Sequence, residues 1–329
     1  MRVTMCLTSD QDFWQLSQGH VDHLRSTFPD VDFRVATPAT VPNELPASEV
    51  YFGWRFAPTW FSLAPSLRWI ASPAAGTDHL PVRQAQQAGV MLTRSYGFHG
   101  GPMSEHAMGL ILGFSRGLFT SSRLQLTRRW WKNELATEFF DLAGATLAIV
   151  GCGSIGAHLA RVAGVFKMNV IGVRRTPPAD AQDGIRWIPA SSIRQAVAEA
   201  DVVVDLLPAT AETSGFFDQR MFDSCKPGAI FINLGRASTV DHTALLQALE
   251  DGPLGGAALD VTTPRPLSME DALRLHPRVI LTPKSATFSR FYMDEAITFF
   301  TDNLRRYLND LSLQGVATLL TEGGSDVSL

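Results

Sequence analysis

The stretch "IVGCGSIGAHLA", residues 149–160, decides the reading of this chain. Gly151, Gly153 and Gly156 follow an apolar run and open a segment of helical character. In a strand–turn–helix unit the first glycine permits the tight turn and the second lets a pyrophosphate approach the backbone. The third allows the helix to pack closely on the strand. The first helical turn, with Ser154 and Ile155, then offers free N–H groups and the positive end of the helix dipole to a phosphate. A GxGxxG alone would also fit a purely structural turn. Here a second apolar run, Val170-Ile171-Gly172-Val173, follows the helix and completes the unit. That run ends in Arg174-Arg175-Thr176, where an NAD site would carry an acidic residue about 20 residues past the glycines. Guanidinium groups suit a ribose 2′-phosphate, so NADP(H) is expected in preference to NAD, the alternative being two surface arginines.

Working outward, "TLAIV", "NVIGV", "DVVVDLL", "AIFINLG", "GAALDV" and "RVILTP" are β-rich runs separated mostly by helical segments. This alternation predicts parallel strands joined by crossovers, a doubly wound α/β sheet of the Rossmann kind. Before it, Arg2–Leu7, Asp32–Val35, Val50–Gly53, Leu67–Ala71 and Val90–Thr93 predict a smaller α/β unit. Ser104 reads as the N-cap of a long apolar helix reaching Thr127, of the sort buried between domains or subunits. Helical spacing returns over Phe291–Leu308, and the tail "EGGSDVSL" reads as disordered.

The bulk properties narrow the class. The chain has 329 residues, enough for two domains, and is 45% hydrophobic and 18% charged, as soluble globular proteins are. A net charge of −4 makes no electrostatic case for nucleic acid. Cys6, Cys152 and Cys225 are too few and too scattered for a disulfide framework or a zinc site, which suits a reducing cytoplasmic compartment. The start reads as a strand rather than a signal peptide, and no run approaches the ~20 apolar residues of a membrane span.

Six segments in order carry a resemblance: "GFHGGPMSEHAMGLIL" (97–112), "DLAGATLAIVGCGSIG" (141–156), "LLPATAET" (206–213), "KPGAIFINLGRASTVDHTALLQAL" (226–249), "GGAALDV" (255–261) and the "LTP" before Lys284. Together they resemble the D-isomer-specific 2-hydroxyacid dehydrogenases, of the glyoxylate/hydroxypyruvate reductase kind. The resemblance implies a flavodoxin-like substrate domain from residues 1–102 and 285–329, and a dinucleotide-binding domain over 103–284. It implies a homodimer built through the long helix. Leu207, Pro208, Thr213, Leu234, Gly235 and Asp260 fall at positions beside the cofactor. The carboxylate of a 2-oxo acid would be held by backbone N–H groups of Ala75-Gly76-Thr77 and by the five-donor fork of Arg236.

The resemblance also implies a histidine acid/base paired with a glutamate, and both are replaced. Lys284 stands after the "TP", and Arg265 stands five residues past Asp260. A histidine, with pKa ~6.5, needs a carboxylate to stay protonated at neutral pH, whereas a lysine near ~10.4 does not. A Lys284 ammonium could protonate the carbonyl oxygen as hydride adds to carbon, and Arg236 and Arg265 would push its pKa toward neutrality. Ketone reduction is then favoured over alcohol oxidation. Two further readings stay open. Lys284 and Arg265 could anchor a second anionic group, or the chain could bind NADP(H) as a structural or sensing ligand without turnover.

Other candidates carry less. Glu105-His106 matches the family at the start of the long helix and suits a structural role. Trp54 and Arg55 could line the substrate site or simply pack. His79 and His99 could stand in for the missing histidine. Nothing around Cys152 marks it as a nucleophile.

Overall fold

A computed structural model describes residues 1–178 and 184–317. The chain divides into two compact units, Met1–Phe98 with Phe288–Leu329, and His99–Thr287. The "EGGSDVSL" tail lies outside the described residues.

In the first unit five parallel strands, β1 (Arg2–Cys6), β2 (Asp32–Val35), β3 (Val50–Gly53), β4 (Trp69–Ser72) and β5 (Met91–Arg94), form one sheet in the order β2-β1-β3-β4-β5. This is the flavodoxin-like order. One face of the sheet is closed by the C-terminal helix Tyr292–Leu308, which buries Met293, Ala296, Ile297, Phe300 and Leu304 against Val3, Met5, Phe52 and Trp69. The ring of Phe300 stacks on Phe52 at 4.1 Å between centroids and on Trp69 at 5.4 Å. Trp69 satisfies its indole N–H with Thr93 Oγ1 at 2.9 Å, so the aromatic layer carries no polar penalty there.

The second unit holds seven parallel strands. They are β6 (Thr146–Val150), β7 (Asn169–Arg174), β8 (Ile185–Pro189), β9 (Val202–Asp205), β10 (Ala229–Asn233), β11 (Leu254–Leu259) and β12 (Val279–Leu281). Their order, β12-β11-β10-β9-β6-β7-β8, reverses direction between β6 and β9. That reversal is the switch point at which open α/β sheets open a crevice beyond their strand ends. The central strands β9 and β10 are buried along their whole length, as the unbroken apolar runs predict.

Two details depart from the sequence reading. Strand β8 was not expected, because its burial alternates, Arg186 is exposed and the strand closes on Pro189; it is an edge strand paired only with β7. The long helix begins at Gly100 rather than after Ser104, and stops at Ser115 instead of reaching Thr127. Ser104 sits inside it with its hydroxyl 3.0 Å from Nδ1 of His158. Gly117, at φ +62, turns the chain left-handed before a separate helix, Leu118–Leu124. No described helix is long and apolar enough to cross a membrane.

Replacing Phe300 by alanine removes a ring packed on two others and leaves a cavity. The first unit is expected to lose about 3–5 kcal/mol of stability. Urea unfolding followed by tryptophan fluorescence should show the midpoint fall, and an unchanged midpoint would contradict this account of the core.

Candidate functional site

The ends of β6, β9 and β10 lie side by side, with Val150 paired to Asp205 and Asp205 to Asn233. Gly151 leaves β6 at φ +82, and a Cβ there would lie 2.9 Å from the carbonyl carbon of Leu206. Gly235 leaves β10, and its Cβ would lie 2.7 Å from the oxygen of Leu207. The Leu206-Leu207 backbone is thus held between two glycine turns, and Leu207 N–H donates to Asp205 Oδ1 at 2.8 Å. Gly156 lets the helix Ser154–Val165 close onto Ile149 and Cys152. Beyond Gly153, where a Cβ would meet nothing within 4 Å, there is open space. Gly153 is the N-cap, without a side-chain cap bond, and Ser154 is exposed beside it. A glycine turn with open space above an uncapped helix start fits a dinucleotide pyrophosphate. The Cys152 thiol below is pushed up to about 12 by burial, so it is not poised as a nucleophile.

Arg174 ends β7 half-buried, and Arg175 and Thr176 follow it exposed. Arg175 Nη2 donates to Glu212 Oε2 at 2.8 Å, linking the end of β7 to the segment after β9. That segment is closed by Thr213, whose hydroxyl donates to the Pro208 oxygen at 2.6 Å. Leu207, Pro208 and Thr213 therefore share one loop with Glu212, the partner of Arg175.

Three cations leave the C-terminal ends of three neighbouring strands. Arg236 follows β10, Arg265 lies exposed in the loop after β11, and Lys284 lies exposed in the turn after β12. Arg236 is half-buried, and its Nη1 donates to the Gly235 oxygen at 3.0 Å. Lys284 has φ +55, in the left-handed region that residues other than glycine enter uncommonly and that Lys167 and Asp310 also take among the described residues. The turn is tied to Asp260, at the end of β11. Its backbone oxygen accepts from Lys284 N–H at 3.0 Å. Its Oδ1 accepts from the Thr282 hydroxyl at 2.6 Å and Ser285 N–H at 2.8 Å, and its Oδ2 from Ala286 N–H at 3.1 Å. Asp260, expected beside the cofactor, thus spends both carboxylate oxygens on the Lys284 turn. His106 joins from the long helix with Nε2 3.1 Å from Thr282 Oγ1. Burial holds its pKa below the usual histidine value, partly offset by Asp260, so a neutral ring donating from Nε2 to Thr282 fits. Glu105, one residue earlier, is exposed.

The remaining candidates belong to the first unit, apart from His99. Ala75, Gly76 and Thr77 form a half-buried loop after β4. Trp54 donates its indole N–H to the Trp14 oxygen at 3.2 Å and packs on the rings of Trp14 and Tyr292. Arg55 and His79 are exposed, and His99 is buried at the head of the long helix. Three polar residues at the strand ends of the second unit escaped the sequence reading: Asp205, Asn233 and Thr239, all fully buried. An acid and an amide closing the otherwise apolar runs "VVVD" and "AIFIN" were the available signal.

Residues 108–286 match the family described as "D-isomer specific 2-hydroxyacid dehydrogenase, NAD binding domain". The glyoxylate reductase of Pyrococcus furiosus is 32% identical over 237 residues, covering 69% of each chain. A D-isomer specific 2-hydroxyacid dehydrogenase family protein from Aeromonas salmonicida superposes with a TM-score of 0.81 at 30% identity, over 96% of this chain and 99% of that one. The NADPH-dependent glyoxylate/hydroxypyruvate reductase of Sinorhizobium meliloti, solved with NADP and sulfate, also gives a TM-score of 0.81, at 26% identity over 96% and 98%. With its glycine turn at the switch point and this match over more than half its length, the chain belongs to the D-isomer specific 2-hydroxyacid dehydrogenase family.

Proposed function

We propose that the protein is an NADPH-dependent reductase of 2-oxo acids, giving D-2-hydroxy acids, with Lys284 as the proton donor. The observation that carries this reading is the turn after β12, where Asp260 holds Lys284 in a left-handed conformation beside the strand ends that bear Arg236 and Arg265. The relatives named glyoxylate reductase and the Sinorhizobium meliloti enzyme support the substrate class.

A nicotinamide cofactor, when bound, supplies the hydride. Gly151, Gly153, Ser154, Ile155 and Gly156 would hold its pyrophosphate, and Leu207, Pro208, Thr213, Leu234 and Gly235 its nicotinamide half. Arg236 pairs with the substrate carboxylate and carbonyl oxygen, which polarises the carbonyl and fixes its angle. Ala75, Gly76 and Thr77 belong to the same proposal as backbone donors to the carboxylate, with Trp54 as an apolar wall. As the carbonyl carbon is reduced, the Lys284 ammonium gives one proton to the oxygen and is left as a neutral amine. Lys284 is exposed and regains that proton from water. Arg265 contributes positive charge that favours the developing oxyanion. Deprotonating a lysine near pH 7 costs about 4 kcal/mol from its ordinary value, so the oxidative direction runs slowly at neutral pH.

Arg174, Arg175 and Thr176 are the 2′-phosphate binders in this reading. Glu212 already occupies Arg175, so a 2′-phosphate must compete with an exposed carboxylate there. The exposed apolar residues Leu118, Leu126, Trp130 and Phe139, close in sequence after the long helix, are the surface a second copy would cover in a homodimer. All three cysteines are buried and free of disulfides, which agrees with a cytoplasmic setting.

Lys284→Met should lower kcat for glyoxylate or hydroxypyruvate reduction about 10²–10⁴-fold while NADPH affinity stays within about twofold. Full activity in that variant would overturn the assignment of the proton donor. The double change Arg174→Ala with Arg175→Ala should weaken NADPH at least about tenfold and leave NADH nearly unchanged. Glu212→Gln should tighten NADPH by at most about fivefold, since the pair it breaks is exposed. Fluorescence titration of the reduced cofactors reads both, and equal losses for the two cofactors would refute 2′-phosphate recognition.

A further inference from the structure

The second buried acid of this sheet end, Asp205, closes β9 with no exposed surface. Its Oδ1 accepts from Leu207 N–H, and its Oδ2 lies 2.5 Å from the Thr239 hydroxyl oxygen. The same hydroxyl oxygen lies 2.7 Å from the backbone oxygen of Arg236. Two short oxygen–oxygen contacts thus meet at one hydroxyl, which has a single proton to donate. The Arg236 carbonyl has none. A protonated Asp205 would supply the second proton, its carboxylic O–H donating to Thr239 Oγ1 while Thr239 O–H donates to the Arg236 oxygen.

We propose that Asp205 acts as a neutral carboxylic acid that positions Arg236 through Thr239. The Arg236 oxygen also accepts from Asn233 Nδ2 at 3.0 Å, while Asn233 Oδ1 accepts from Gly235 N–H at 2.9 Å. The turn carrying the guanidinium is thereby fixed from both ends, and the Asp205–Thr239 chain is the part that depends on a proton. The flanking strands β6 and β10 carry no ionisable side chain. Asp218 and Asp241, on the segments that follow, each cap a helix start, and Glu212 is exposed and paired to Arg175. Among nearby thiols, Cys152 is held protonated by burial. Burial likewise pushes the Asp205 carboxyl up to about 7, opposed only by its contacts with Thr239 and Leu207. Once Asp205 ionises, its carboxylate accepts the one hydrogen bond that the Thr239 O–H can donate. The contact from Thr239 Oγ1 to the Arg236 oxygen is then left with no proton between, and the turn loosens.

The inference rests on the reading of Arg236 as the holder of the substrate carboxylate. Its test uses the full chain with NADPH bound and oxamate, an unreactive 2-oxo acid analogue, titrated calorimetrically between pH 5.5 and 8.5. Wild-type affinity should fall about tenfold relative to Asp205→Asn as pH rises through 7, because the amide keeps a donor at every pH. Asp205→Leu and Thr239→Val should bind oxamate about tenfold more weakly throughout, and Thr239→Ser should restore wild-type binding. Stability gives a second readout that does not involve Arg236. An acid whose folded pKa lies above its unfolded value loses stability as pH rises from about 4 to 7. The urea midpoint of wild type should therefore drop relative to Asp205→Asn across that window. Parallel midpoints would overturn the neutral acid. Diverging midpoints with oxamate affinities that stay parallel would overturn the positioning role. If Arg236→Gln leaves oxamate affinity unchanged, the Arg236 reading itself fails, and the positioning role falls with it.

Discussion

The buried side chain of Asp260 ties together the turn that carries Lys284. Burying a carboxyl group is costly unless its oxygens find donors, and the turn after β12 supplies them from Thr282, Ser285 and Ala286. The same arrangement bends the chain at Lys284 into a conformation that lysine seldom takes. His106 reinforces the arrangement from the long helix through Thr282. The placement of one lysine is therefore fixed by backbone and carboxylate contacts, while its own side chain remains at the surface.

Around that turn the chain concentrates positive charge and hides its acids. Arg236, Arg265 and Lys284 leave adjacent strands, whereas Asp260 and Asp205 are buried at the ends of β11 and β9. The two acids solve burial differently. Asp260 gathers N–H and O–H donors on both of its side-chain oxygens. Asp205 has one N–H and one shared hydroxyl, and burial favours its neutral form. The difference between the two acids follows from the number of donors within reach.

Much of this was legible in the chain itself. The glycine turn and the alternation of β-rich and helical runs point to the doubly wound sheet, because period and turn chemistry are local properties. The apolar runs over β9, β10 and β11 mark central strands for the same reason. Ser104 misled, since a serine ahead of an apolar run looks like a cap until its hydroxyl is seen beside His158, 54 residues away in sequence. Strand β8 escaped because an edge strand with an exposed arginine lacks the apolar run. The functions of Asp260 and Asp205 depend on donors that come from different strand ends, and no spacing along the chain encodes those meetings. Lys284 and Arg265 could be singled out from the sequence, but the frame that holds Lys284 could not.

We propose that the lysine in the turn tied to Asp260 makes this family member a working reductase. The most direct measurement follows NADPH absorbance with the purified protein and glyoxylate, hydroxypyruvate, aromatic pyruvates and dicarboxylic 2-oxo acids, with NADH alongside. NADPH-dependent turnover with at least one of these acids is expected, with reverse oxidation of the product much slower at pH 7. Tight NADPH binding with no turnover of any of them, or oxidation as fast as reduction at pH 7, would contradict it.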